Sequence, residues 1–221
     1  MDTIETIKNR RSIRKFLNKQ VPEETLRKLV SKSLWAPSWG NTQPWEFIVI
    51  TGPALERFKQ ENKNALLSGK KANPEIQMPQ EWPDAMKARY VDVGRSVLEA
   101  QSIARKDLDG RLKYYGDMFS LFDATALLLI ILDKSLLIEY AMLDIGLFLQ
   151  TFMLLTHNEG LGSIALSASV NYPDILREVF PIPEYKRIVM GVAVGWPDWD
   201  APVNQFERRR AGFDESGIWV K

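Results

Sequence analysis

Apolar positions recur along the chain with two periods, and the switches between them mark out the elements. Residues 3 to 9 read as a short opening helix that ends near "RRS". In "VPEETLRKLVSKSLWAP" a proline and two acids open a second helix. Leu26, Leu29, Val30 and Leu34 fall on one face of it at helical spacing, and Pro37 stops the run. "WEFIVI" (45–50) is short, aromatic and β-branched, the signature of a strand, and Thr51-Gly52-Pro53 closes it. A helix is predicted over 54–67 with Leu55, Phe58 and Leu66 inward, then a proline-containing surface loop over 68–83, then helical pattern from 84 to about 106.

The continuous apolar run "ATALLLIILD" (124–133) has the length of a strand and suits one covered on both faces. Residues 136–159 form a helix that is apolar almost all round, as expected deep in a core or in a subunit interface. Gly160 and Gly162 suit its C-terminal cap. "SIAL", a short helix from Pro173 to Phe180 and the buried strand "RIVMGVAVGW" (187–196) complete the pattern. With no repeat and no linker, residues 1–221 read as one α+β domain.

The run from Leu136 to Leu155 is long enough to raise the question of a membrane helix. Glu139, Asp144 and Gln150 interrupt it, and a charge near the bilayer centre costs about 2.5–3.5 kcal/mol. It is read as a core helix of a soluble protein. The first twenty residues carry Asp2, Glu5, Lys8, Arg10 and Arg11 and no signal-like apolar stretch, so a cytoplasmic location is expected. The net charge of +1 offers no bulk attraction to nucleic acid or an anionic membrane. Absence of cysteine excludes disulfides and thiolate chemistry, and a single histidine, His157, excludes a multi-histidine metal centre.

Four stretches carry candidate chemistry. "RRSIRKF" (10–16) is either a solvated basic face or a phosphate clamp, because guanidinium groups pair bidentately with phosphate oxygens and a serine hydroxyl adds a donor. "APSWGNTQPW" (36–45) spends ten residues where a short turn would serve, and offers the amides of Asn41 and Gln43. "GLGSIALSAS" (160–169) lacks the third glycine of a dinucleotide fingerprint and follows a helix, so it is not read as one. "ERRRAG" (207–212) taken alone is a solvated tail. His157, near a helix end, reads as a capping or interface residue, and Asp117 and Asp123 around "DMFSLFDA" are too ordinary a pair to argue glycosidase chemistry.

Together, "RRSIRKF", the "VPEE" helix start, "APSWGNTQPWEFIVI", "GLGS", "MGVAVGWPD" and the arginine tail resemble, in this order, the FMN-dependent nitroreductase family. The resemblance covers nearly the whole chain. It implies a mainly antiparallel sheet flanked by helices, an interlocked homodimer with FMN at the interface, and NAD(P)H and a small-molecule acceptor as partners. It implies ping-pong electron transfer to nitroaromatics, quinones or related conjugated compounds. By the same pattern Arg10, Ser12 and Arg14 contact the flavin, with Arg11 nearby, and Arg210 and Arg208 lie on its phosphate. Pro37, Ser38, Asn41 and Gln43 would reach across to the partner's flavin, and Leu166 and Ser167 would lie beside the ring system. Trp39, Phe119 and Phe122 are expected to line the acceptor pocket. The chain departs from the family in offering Asp117, Met118 and Ser120 near the pyrimidine edge, and in lacking glycines within "IALS". A flavin store or sensor without turnover, or a specialised enzyme such as a reductive dehalogenase, are the alternatives.

Overall fold

The computed structural model describes residues 2–221. Four strands, β1 (Glu46–Thr51), β2 (Ala126–Asp133), β3 (Gly162–Leu166) and β4 (Lys186–Gly195), form one antiparallel sheet in the order β1-β2-β4-β3. The eight α-helices among the described residues are α1 (Thr3–Asn9), α2 (Glu23–Ser33), α3 (Gly52–Leu67), α4 (Asp84–Ala100), α5 (Leu108–Phe119), α6 (Ile138–Asn158), α7 (Pro173–Val179) and α8 (Phe213–Ser216).

The period-two rule sorts β2 between two cores. Leu127, Leu129 and Ile131 face α3, α5 and α7, while Ala126, Leu128, Ile130 and Leu132 face α2 and α6. A strand buried on both faces has no polar side to present, which is why its sequence is a continuous apolar run. Pairing with β4 shifts register between Ile130 and Ile131, leaving Val189 as an extra residue opposite the shift. Val189 and Met190 consequently both turn toward the α6 side, as a β-bulge requires.

Helix α6 spans the second core. Ala141, Ile145, Phe148 and Phe152 are buried, whereas Tyr140, Leu143 and Leu147 are 54%, 66% and 45% exposed. Its length and composition would let it cross a membrane. Here one face packs on the sheet and on α2, and the other presents apolar side chains to solvent. Gly160 takes a left-handed φ of 76° and closes the helix, its N–H donating to the His157 carbonyl at 3.0 Å.

The three predicted strands, 45–50, 124–133 and 187–196, match β1, β2 and β4, "SIAL" falls within β3, and the loop over 68–83 contains no regular element. Three details differ. The helical pattern read as 84–106 breaks at Ala100, and a separate helix, α5, follows. Asp107 caps that helix by accepting from the Gly110 N–H at 2.9 Å, which restarts the hydrogen-bond ladder. Leu34, read as part of the inward face of α2, falls in the C-cap and is 41% exposed. Gly162 lies in β3 and not in the helix cap.

Phe148 is fully buried, stacked at 5.3 Å on Trp45 and at 6.0 Å on Phe47. Phe148→Ala is expected to lower unfolding free energy by about 3–5 kcal/mol, measured by urea denaturation at fixed protein concentration.

Candidate functional site

The segment 10–16 is shaped by two buried anchors. Ile13 and Phe16 are 1% and 2% exposed. Each drops onto a glycine: a Cβ on Gly162 would lie 2.5 Å from Ile13, and one on Gly195 2.9 Å from Phe16. Only glycine permits that approach. The Ile13 N–H donates to the Ser163 carbonyl at 3.1 Å, so the segment lies along the start of β3. With the apolar residues pinned inward, Arg10, Ser12 and Arg14 are left to line a surface cavity of about 1610 Å³.

Asn204, 1% exposed, ties this segment to the chain beyond β4. Its side-chain oxygen accepts from the Arg14 N–H at 2.7 Å, and its amide donates to the carbonyls of Lys15 at 2.8 Å and Asp198 at 2.7 Å. Sequence reading missed Asn204, since nothing local announces bonds made across 189 and 190 positions.

The arginines divide into two kinds. Arg11 donates to the carbonyls of Asn204 and Phe206, the latter at 2.8 Å. Arg208 donates to the carbonyls of Arg10 and Lys8, the latter at 2.7 Å. These two guanidiniums clasp the N-terminal segment to the tail. Arg10 has no such acceptor among the described residues, and Arg210 reaches only its neighbour Arg209's carbonyl, at 2.7 Å. Arg14 sits 5.7 Å above the Phe206 ring. None of Arg10, Arg11, Arg14, Arg208 and Arg210 forms an ion pair with a carboxylate among the described residues.

Burial, and then Arg210, lowers the pKa of Arg10; burial, and then Arg11, Arg210 and Arg10, lowers that of Arg208. His157 stands behind them. Its Nε2 is enclosed without a hydrogen-bond partner, and burial, then Arg10, then Arg208, holds its pKa below the ordinary value. Crowded cations without carboxylate partners, lining one cavity, are the donor set of an anion site. A phosphate monoester fits it. Opposite, α4 supplies a mixed wall that includes Lys87, Arg89 and Asp92.

The other sequence candidates lie elsewhere. Pro37, Trp39, Asn41 and Gln43 are exposed and Ser38 partly so, and none lines this cavity. Leu166, expected beside a flavin ring, is 6% exposed and points into the core; strand alternation leaves Ala165 open instead, with Ser167 part-exposed after it. Phe119 and Phe122, expected in an acceptor pocket, are core residues at 5% and 3% exposure, packed on Tyr172 and Tyr114. Leu121, Phe122 and Asp123 all carry left-handed φ values, 58°, 54° and 65°, and this turn directs the Phe122 ring inward while its carbonyl accepts from Phe16. Asp117 pairs with Lys113 at 3.0 Å on the exposed face of α5.

The sheet order and the arginine cavity define an α+β protein with a built anion site, and comparison with known proteins gives the class. The Nitroreductase family matches residues 7–196. The chain is 31% identical to a chloronitrobenzene nitroreductase of Comamonas testosteroni, covering 97% of this chain and 95% of that protein. It is equally 31% identical to a nitrobenzene nitroreductase of Ectopseudomonas oleovorans, with the same coverage. Among solved structures it resembles the FMN and NADPH-dependent nitroreductase NfnB of Sphigopyxis sp. strain HMH, with a TM-score of 0.95 at 27% identity over the full length of both chains. NfnB of Mycobacterium smegmatis, solved in complex with NADPH, gives 0.92 at 27% identity, covering 99% of this chain and 97% of that one. The chain belongs to the nitroreductase family.

The depressed His157 pKa has a definite sign. The unfolded chain binds a proton near the ordinary value of 6.5 while the folded chain resists it. Stability is therefore full above that value and falls as pH drops through it. His157→Gln is expected to flatten the decline in urea midpoint between about pH 7.5 and 5.5, measured without added phosphate.

Proposed function

We propose that the protein is an FMN-dependent oxidoreductase that takes electrons from NAD(P)H and passes them to nitroaromatic acceptors. The observation that carries this reading is the set of five arginines lacking carboxylate partners around one cavity. Arg10 and Arg210 hold the flavin phosphate, Ser12 adds a hydroxyl donor, and Arg14 supports the pyrimidine edge, offsetting negative charge that develops there. Arg11 and Arg208 act one step back, fixing the backbone that carries them. FMN, when bound, supplies the hydride chemistry, and the chain supplies position and field.

Turnover is ping-pong: nicotinamide and acceptor use the same space in succession. Nitroaromatics rank ahead of other acceptors because relatives at 31% identity are named for them, whereas the iodotyrosine deiodinase of Haliscomenobacter hydrossis stands at 24%. Conjugated quinones have the same two-electron demand and belong to the same acceptor class.

The site is completed by a second copy. Leu137 at the N-cap of α6 and Tyr140, Leu143 and Leu147 on it expose an apolar stripe, and Trp35 and Trp39 are exposed on the connection from α2 to β1. A homodimer buries that stripe and brings residues 37–43 to the neighbouring flavin. Sedimentation at micromolar concentration is expected to give about twice the 25.3 kDa chain mass.

Arg210→Ala is expected to weaken FMN by about ten- to a hundredfold, the loss of one charge-assisted phosphate contact, and to change riboflavin affinity far less. Titration by flavin fluorescence measures both. Equal losses for the two ligands would remove Arg210 from the phosphate. An absence of flavin-dependent nitroaromatic reduction by wild-type protein would overturn the reading as a whole.

A further inference from the structure

Asp144 sits in the middle of α6 at 5% exposure, in a core otherwise built from Ala141, Ile145, Phe148 and their apolar neighbours. A carboxylate there is costly to bury unless it is bonded. Its Oδ1 accepts the backbone N–H of Trp39 at 3.0 Å, across 105 positions of chain. No ion pair to it exists among the described residues.

The loop it holds is strained. Gly40, Asn41 and Gln43 have φ values of 55°, 57° and 48°, and a non-glycine residue held there costs about 1–3 kcal/mol. Such backbone persists only where its surroundings over-determine it. Within the loop, Ser38 accepts twice: its carbonyl from the Asn41 N–H at 3.0 Å and its hydroxyl from the Gln43 N–H at 2.9 Å. Those bonds shape the turn but leave it free to swing. Beyond Ala36, buried at its start, its ties to the body come from one stripe of α6, spaced four residues apart. Tyr140 lies 6.0 Å from the Trp39 indole, Asp144 takes the Trp39 N–H, and Phe148 stacks on Trp45 at the far end.

We infer that Asp144 is a positioning residue whose buried carboxylate fixes the backbone at Trp39 and so sets where the indole and Asn41 stand over the neighbouring protomer's acceptor site. The inference rests on the proposed crossing of loop 37–43 to that site. A 70% exposed indole held at its backbone and braced by Tyr140 narrows the space above the acceptor, so Asp144 controls acceptor size from within the core.

Two measurements test it. Amide hydrogen exchange on the wild-type dimer should show the Trp39 N–H protected at least about a hundredfold over an unfolded reference, although its side chain is exposed. Exchange at the unprotected rate overturns the inference and does not touch the proposed function. The second compares kcat/KM for a one-ring and a two-ring nitroaromatic in FMN-loaded wild type, Asp144→Asn and Asp144→Leu. Leucine removes the acceptor and should shift the ratio between the two substrates by about tenfold, chiefly through KM, with flavin content retained. Asparagine keeps an acceptor oxygen and should restore the ratio to within about twofold of wild type. An unchanged ratio in the leucine variant, or an asparagine variant as altered as the leucine one, overturns the inference. Should leucine prevent folding, the exchange result and the asparagine ratio still decide it.

Discussion

Strand β2 gives alternate side chains to two separate cores, and the rest of the molecule is arranged around that commitment. Having no free face, it carries no chemistry itself. It is hydrogen-bonded on both edges, to β1 and β4, so functional groups gather at the outer strand β3 and on segments that leave the sheet. The cavity forms where the N-terminal segment and the chain after β4 meet beside β3. The α6 side of the sheet, by contrast, ends in an apolar face turned outward. Anion site and apolar stripe are thus two consequences of burying one strand completely.

The arginine site works by division of labour. Burial first, and neighbouring cations second, lower the pKa values of Arg10 and Arg208, which is the cost of gathering them. Spending Arg11 and Arg208 on backbone carbonyls holds the framework without adding carboxylates that would neutralise the cavity. Arg10 and Arg210 then keep their donors open. Asn204 plays the same part without charge, satisfying one N–H and two carbonyls from a single buried amide.

Elements with strong local periodicity were legible in the sequence: strands β1, β2 and β4, the start of α2, and α6 with its Gly160 terminus. The arginine segment was legible as a cluster, but its residue types alone left a solvated basic face and a phosphate clamp both open. What escaped depended on distant partners or on one-residue phase. The break before α5 hinges on a single capping aspartate in a stretch of continuing helical pattern. Leu166 is the buried residue and Ala165 the open one, a strand parity that "IALS" does not declare. Phe119 and Phe122 are aromatic enough for a pocket, and only the left-handed turn after α5 shows that they are core. Asp144 read as an interruption in an apolar run, whereas its partner is a backbone N–H that no residue type reveals.

The clasp between the two ends of the chain also orders events in time. The bonds from Arg11 to Asn204 and Phe206, and from Arg208 to Lys8 and Arg10, close loops of 193 to 200 residues. Loop-closure entropy makes such contacts late ones, formed after the local helices and the sheet. Ile13 already seats residues 10–14 against Gly162 and the Ser163 carbonyl, but the arginine clasp waits for residues 204–208. The sheet and both cores can therefore assemble while the anion site is still open at one side. The clasp is then the closing act of folding, and a chain cut before residue 204 keeps all four strands but loses one wall of the arginine cavity.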